Sequence, residues 1–193
     1  MANEYATLTE LKSMRRITDT DDDTLLQARL TRASRAIDDR TGRRFYADGS
    51  ASARIYRAAD RVVRDDDGWL LLVDDIASLT GLTVETGTDG TTWTAISSYD
   101  TDPDNAIARG RAITGIRLAT GWRARARITA NWGWPDVPPS IAEATLLLAN
   151  RRFMRRDSPE GVAGWAQDGP VRVSRFDPDI EDLVGPYVIP GFA

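Results

Sequence analysis

The side chains able to do chemistry in this chain are almost all carboxylates and guanidinium groups. Histidine and cysteine are both absent. That removes the commonest general base and metal ligand, and with them any disulfide or thiolate site. Acids crowd together twice. Asp19-x-Asp21-x-Asp23 has the spacing that opens a calcium loop, but Thr24 stands where that loop needs glycine and Leu30 where it needs a bidentate Glu. The start of a helix explains the run better, because the helix dipole favours carboxylates there. The second cluster, Asp100-Thr101-Asp102-Pro103-Asp104-Asn105, has the composition of a loop, and turn chemistry accounts for its Asp, Pro and Asn without a metal. No Gly-rich phosphate loop, nucleophile elbow or HExxH occurs. A carboxylate enzyme would need one acid pair set apart in a cleft, and no pair stands out. The residues call for no catalytic site, cofactor or metal.

The cations are nearly all arginine, with Lys12 the single lysine. Arg123, Arg125 and Arg127 alternate with Ala124, Ala126 and Ile128, so a strand would carry the three arginines on one face. With Arg109, Arg111 and Arg117, they fall in a stretch from Asn105 to Asp136 that holds no acid in between. Two readings follow. One is a nucleic-acid-binding module using the Arg109–Arg127 cluster, since phosphate contacts are built from such groups. The other is a solvated or subunit-facing sheet surface paired with aspartates elsewhere. The chain lacks the interleaved exposed aromatics of a strand-binding platform, and 29 acidic against 25 basic residues give a net charge of −4. Both favour the second reading.

These side chains hang on an α+β framework. The 193 residues, 41% hydrophobic and 28% charged, suit a globular protein of one domain or a helical domain with an insertion. No apolar run approaches the roughly 20 residues that span a bilayer, and Met1 to Lys12 does not read as a signal peptide. Thr7-Leu8-Thr9-Glu10 matches a capping box opening a first helix near 8–16. A second helix near 22–40 buries Leu26, Leu30, Ala33 and Ile37 and stops at Gly42. Strands are expected over Ala53–Arg57, Trp69–Val73, Leu79–Thr86, Thr92–Ser98, Ile113–Leu118 and Ala124–Trp132. Asp65-Asp66-Asp67-Gly68 reads as a turn and Thr88-Asp89-Gly90-Thr91 as a two-residue hairpin turn.

The organising stretch is Asn131 to Arg156. Trp132, Gly133, Trp134, Pro135, Pro138 and Pro139 form a stiff elbow with two aromatic anchors, because each proline fixes φ and extends the residue before it. Pro139 then opens a core helix near 139–156, with Ile141, Ala144, Thr145, Leu148 and Arg152 on one stripe and arginines at its end. The segments are therefore N-terminal helices (1–46), a β-rich insertion (47–132), the core helix (133–157) and an extended C-terminal arm (158–193). The arm holds a short strand candidate at Val171-Arg172-Val173 and a capped turn with Asp177 as N-cap and Pro178 first. It is acidic yet carries Trp165, Phe176, Tyr187, Val188, Ile189 and Phe192. Such apolar anchors suit docking on a partner or folding back onto the chain's own helices.

The order of these pieces resembles the head–tail connector (head-to-tail adaptor) proteins of tailed bacteriophages. Tyr5 to Arg16 and Ala36 to Tyr46 look like the family's opening. Trp132-Gly133-Trp134-Pro135 through Ile141, and Arg155-Arg156-Asp157-Ser158-Pro159-Glu160-Gly161-Val162, are the more specific pieces. The resemblance implies a small helical bundle with a β insertion between its second and third helices, acting as a structural virion protein of the neck. It further implies a homo-oligomeric, dodecameric ring that binds the portal protein and the next tail-proximal connector or tail protein. DNA would pass through its channel without sequence-specific binding, no membrane would be involved, and assembly would take place in the host bacterial cytoplasm. Pro186, Tyr187, Val188, Ile189, Pro190 and Phe192 are the portal-contacting residues the resemblance points to.

Overall fold

The computed structural model describes residues 3–155, 162–166, 169–172 and 177–189. In chain order its elements are α1 (Leu8–Arg15), α2 (Asp23–Thr41), β1 (Ser52–Arg57), α3 (Ala58–Arg61), β2 (Val62–Asp65), β3 (Gly68–Gly87), β4 (Thr94–Ile96) and β5 (Asp100–Asp102). Then follow β6 (Ile113–Leu118), β7 (Arg125–Trp132), α4 (Pro139–Met154), β8 (Val162–Ala166), β9 (Gly169–Arg172) and α5 (Pro178–Val184). The fold class is α+β, as expected. Two compact units form: one joins the residues up to Arg43 with those from Val137 onward, and the other is Arg44–Asp136.

The helical unit follows its local signals closely. Thr7 Oγ1 accepts the Glu10 N–H at 3.2 Å, and Glu10 Oε2 accepts the Thr7 N–H at 2.7 Å, which completes the capping box of α1. α2 ends where Gly42 adopts φ 70°, a left-handed conformation that costs glycine little. Leu26, Leu30, Ala33 and Ile37 are all buried, and the first three pack with Leu11, Ala149 and Phe153. The stripe of α4 differs slightly from the expected one. Ile141, Ala144, Thr145, Ala149 and Phe153 are buried, whereas Leu148 and Arg152 stand at its half-buried edge. The i+4 row through Ala149 to Phe153 outcompetes Leu148 because it delivers an aromatic ring to the core.

The acidic run Asp19–Asp23 serves this unit structurally. Asp23 pairs with Lys12 at 2.6 Å, and Asp19 Oδ1 accepts the Asp21 N–H. Among the described residues no group of three or more acids lies together as a metal site.

The second unit is a seven-stranded antiparallel sheet ordered β1-β7-β3-β6-β5, with β2 and β4 also paired to β3. β3 is its spine. One 20-residue strand replaces the two expected on either side of Asp74-Asp75. The carboxylates do not break it because each has partners: Asp74 takes Arg54 at 2.7 Å and the Tyr56 hydroxyl at 3.1 Å, and Asp75 takes Trp134 Nε1 at 2.9 Å. The pairing shifts register near these residues, where β3 leaves β6 for β7. Leu71, Ile76, Val84, Ile116, Ile128 and Trp132 are among the buried residues of its core.

Two local expectations change. The Thr88–Thr91 turn is part of a wider loop, since Thr86 pairs with Thr94. Asp89 shapes that loop by accepting the N–H groups of Thr91 and Thr92 at 2.9 and 2.8 Å. The acidic loop after Tyr99 includes β5, which pairs with β6. The Asp65–Gly68 turn is as expected, with Asp65 opposite Gly68.

Candidate docking site

The C-terminal residues sit on the helical unit. Asp177 accepts the Asp179 N–H and Pro178 takes the first position of α5, so this short helix starts as its sequence predicts. Ile180 and Val184 are buried. Asp177 also receives Arg151 at 2.9 Å, and Glu181 receives Arg40 at 2.7 Å. Replacing Asp177 with alanine removes cap and ion pair together and is expected to lower stability by about 1 kcal/mol, read as a shift in the urea midpoint.

A 3-10 turn, Gly185–Tyr187, follows α5. The Tyr187 carbonyl accepts Arg43 Nε at 2.7 Å, the Tyr187 hydroxyl accepts Ser140 Oγ at 3.0 Å, and Ile189 N donates to the Thr41 carbonyl at 2.9 Å. The backbone of Pro186 to Ile189 is thereby held against the end of α2 and the start of α4. Its apolar side chains are not consumed by this contact. Pro186 is exposed, Tyr187 and Val188 are half-buried, and Ile189 is 45% exposed. The segment is thus a pinned apolar ledge. Pro190 and Phe192 lie outside the described residues, as do Arg156 to Gly161, Val173 and Phe176.

The elbow residues divide between the units. In the sheet unit, Trp132 is fully buried, donates Nε1 to the Ser52 carbonyl at 2.8 Å, and stacks under the Arg54 guanidinium at 4.3 Å. Trp134 lies 5.2 Å from Phe45. Gly133, at φ 111°, passes so close to the Tyr46 carbonyl that a Cβ there would lie 1.9 Å from its oxygen. Pro135 follows at the half-buried edge. In the helical unit, Pro138 is the N-cap of α4 and Pro139 its first residue.

Of the arginine stripe, Arg125 and Arg127 share the half-buried face of β7, while Ala126, Ile128 and Ala130 are buried on the other. Arg123 precedes the strand and is exposed. Arg127 stands opposite Glu85 in the β3–β7 register and grips it with two bonds of 2.6 Å, its guanidinium lying 4.7 Å from the Trp93 ring. Arg117 bridges Asp65 and Asp102. The chain supplies acids to two of the cluster's arginines from strands that spacing alone could not align. Arg109, Arg111 and Arg123 remain exposed without a salt bridge among the described residues.

The hydrogen bonds from Arg127 hold Glu85 below its ordinary 4.5, and those from Arg117 hold Asp65 below 3.8. Folded-state values lower than unfolded ones stabilise the sheet unit above the unfolded pKa. That contribution is lost as pH falls through the folded values. Thermal scans are expected to show a flat Tm from neutral pH down to about 5 and a decline below about 4, with Arg127→Ala weakening the decline.

Residues 5–65 match the family described as phage gp6-like head-tail connector proteins. No curated protein matches the chain. A chain in the solved "neck of empty GTA particle computed with C6 symmetry" has 17% identity and a TM-score of 0.54, covering 100% of this chain and 94% of that one. A chain in the virion of a native gene transfer agent particle has 18% identity and a TM-score of 0.52, covering 98% and 92%. At such identities the likeness is one of fold. The family match runs from the buried Tyr5 through both opening helices to Asp65 at the end of β2. The resemblance read from the sequence therefore holds, and over residues 5–65 this chain matches the phage gp6-like head-tail connector family.

Proposed function

We propose that this protein is a structural subunit of the neck of a tailed-phage-like particle. It forms a homo-oligomeric ring that joins the portal protein to the next tail-proximal connector or tail protein and lines the DNA channel. The observation that carries this reading is the connector-family match over residues 5–65, on a chain whose fold spans nearly the whole length of a neck-particle chain. A neck computed with C6 symmetry admits copies in multiples of six, which a dodecamer satisfies. Its place is the virion neck, reached by assembly in the host bacterial cytoplasm. No helix among the described residues is long and apolar enough to cross a membrane.

The ring works by repetition. Each subunit presents the ledge Pro186 to Ile189, with Pro190 and Phe192 beyond it, as one modest contact to the portal. A closed ring multiplies that contact through effective concentration. DNA passes without being gripped, which fits the engagement of Arg117 and Arg127 by Asp65, Asp102 and Glu85. The rival nucleic-acid-binding reading keeps the exposed Arg109, Arg111 and Arg123 and the half-buried Arg125.

The test is binding to the cognate portal by surface plasmon resonance, with the wild-type chain and Ile189→Asp. The aspartate is expected to weaken portal binding by tenfold or more, about 1.4 kcal/mol, with an unchanged Tm. Equal binding by both proteins would place the portal contact elsewhere. Tight, steeply salt-dependent duplex DNA binding without portal binding would favour the nucleic-acid reading.

A further inference from the structure

Arginines on α2 and α4 form a cationic cluster that the neck reading leaves unused. Arg29 and Arg32 lie one turn apart on α2, and Arg152 Nη1 donates to the Arg32 carbonyl at 3.0 Å, which fixes the end of α4 beside them. Arg155 caps α4 one turn later. None of these four arginines has a salt bridge among the described residues. Arg29 Nε is buried with no hydrogen-bond partner. Burial, then the charges of Arg29, Arg155 and Arg32, lower the affinity of Arg152 for its proton. Arg29 and Arg152 are half-buried and Arg32 and Arg155 exposed, and like charges packed together are unfavourable unless an anion completes them.

The same unit carries anionic groups that are also left over. Asp19 and Asp21 are exposed, and neither has a salt bridge among the described residues, whereas Asp23 is paired with Lys12. Both lie before the start of α2 at Asp23, and neither pairs with the arginine cluster within one molecule. A second copy can bring them to it.

We propose that the Arg29–Arg32–Arg152–Arg155 cluster is the receiving half of a head-to-tail contact between copies of this chain, occupied by the Asp19–Asp21 loop of the neighbouring copy. An anion and a cation at different places on one molecule can pair head to tail between copies, the kind of contact that closes rings. Two observations favour a protein carboxylate over a phosphate backbone. The Arg152 guanidinium is partly desolvated beside the half-buried Leu148, as at packed interfaces where arginine is preferred. The chain as a whole is also acidic, which disfavours a nucleic-acid partner. This contact rests on the ring reading and gives it a specific seam.

The experiment uses the full-length protein in sedimentation velocity at low and at about 0.5 M salt, which shortens the Debye length to a few ångströms. Wild type is expected to self-associate at low salt and to loosen at high salt. Reversing the exposed arginines, Arg32→Glu with Arg155→Glu, and separately the acids, Asp19→Arg with Asp21→Arg, should each weaken association by at least tenfold. Mixing the two variants, or combining all four changes in one chain, should restore it. Circular dichroism confirms the fold of each, and Arg155→Gln alone serves as a milder variant. If wild type assembles and neither reversal changes it, the seam is overturned while the ring stands. A wild type that stays monomeric in both salts, alone and with portal, overturns both. Unchanged assembly with duplex DNA binding lost in Arg32→Glu/Arg155→Glu reassigns the cluster to phosphate and also overturns the seam.

Discussion

Gly133→Ala is expected to destabilise the Arg44–Asp136 unit by roughly 3–5 kcal/mol, combining backbone strain with overpacking against main chain. The added methyl would sit 1.9 Å from the Tyr46 carbonyl oxygen and 3.2 Å from Ala47 Cα, neither of which is a flexible side-chain tip. The residue also holds φ 111°, which L side chains rarely adopt. Two backbone bonds resist relaxation, since Gly133 N donates to the Asp75 carbonyl at 2.8 Å and Asp48 N donates to the Trp132 carbonyl at 2.7 Å. Urea unfolding followed by tryptophan fluorescence reads the loss. A change below about 1 kcal/mol, the size of an ordinary substitution, would show that this approach is not a constraint.

Trp132→Ala should cost a similar amount, about 3–5 kcal/mol, because a fully buried aromatic leaves a cavity that only partly collapses. Three further losses accompany it: the bond to the Ser52 carbonyl, the face beneath Arg54, and the tilted contact with Tyr56 at 6.2 Å. Trp134→Phe separates polar from apolar contributions at the neighbouring anchor. It keeps an aromatic ring near Phe45 but removes the indole N–H that Asp75 Oδ2 accepts. An intermediate loss of roughly 1.5–3 kcal/mol is expected, the usual worth of one hydrogen bond to a charged group.

What could be read in advance was whatever local chemistry specifies. The Thr7–Glu10 box, Gly42 at the end of α2, Pro139 opening α4 and Asp177-Pro178 opening α5 each act within four residues, and each stands as its sequence implies. Partners distant in sequence could not be read. Asp74-Asp75 looked like a strand break because Arg54 and Trp134, 20 and 59 residues away, were not visibly their partners. The sequence favours an acidic partner for Arg127, but only the β3–β7 register identifies it as Glu85. The elbow was legible as stiff, but not as a glycine wedged beneath the Tyr46 carbonyl. The apolar content of the C-terminal segment was legible too. Its seat against Thr41, Arg43 and Ser140 depends on tertiary contacts over more than 40 residues.

Native mass spectrometry of the purified protein, alone and with its portal, tests the proposed ring. A closed species whose mass is a multiple of six subunits is expected, formed alone or seated on the portal. A chain that remains a monomer or dimer in both settings would contradict it.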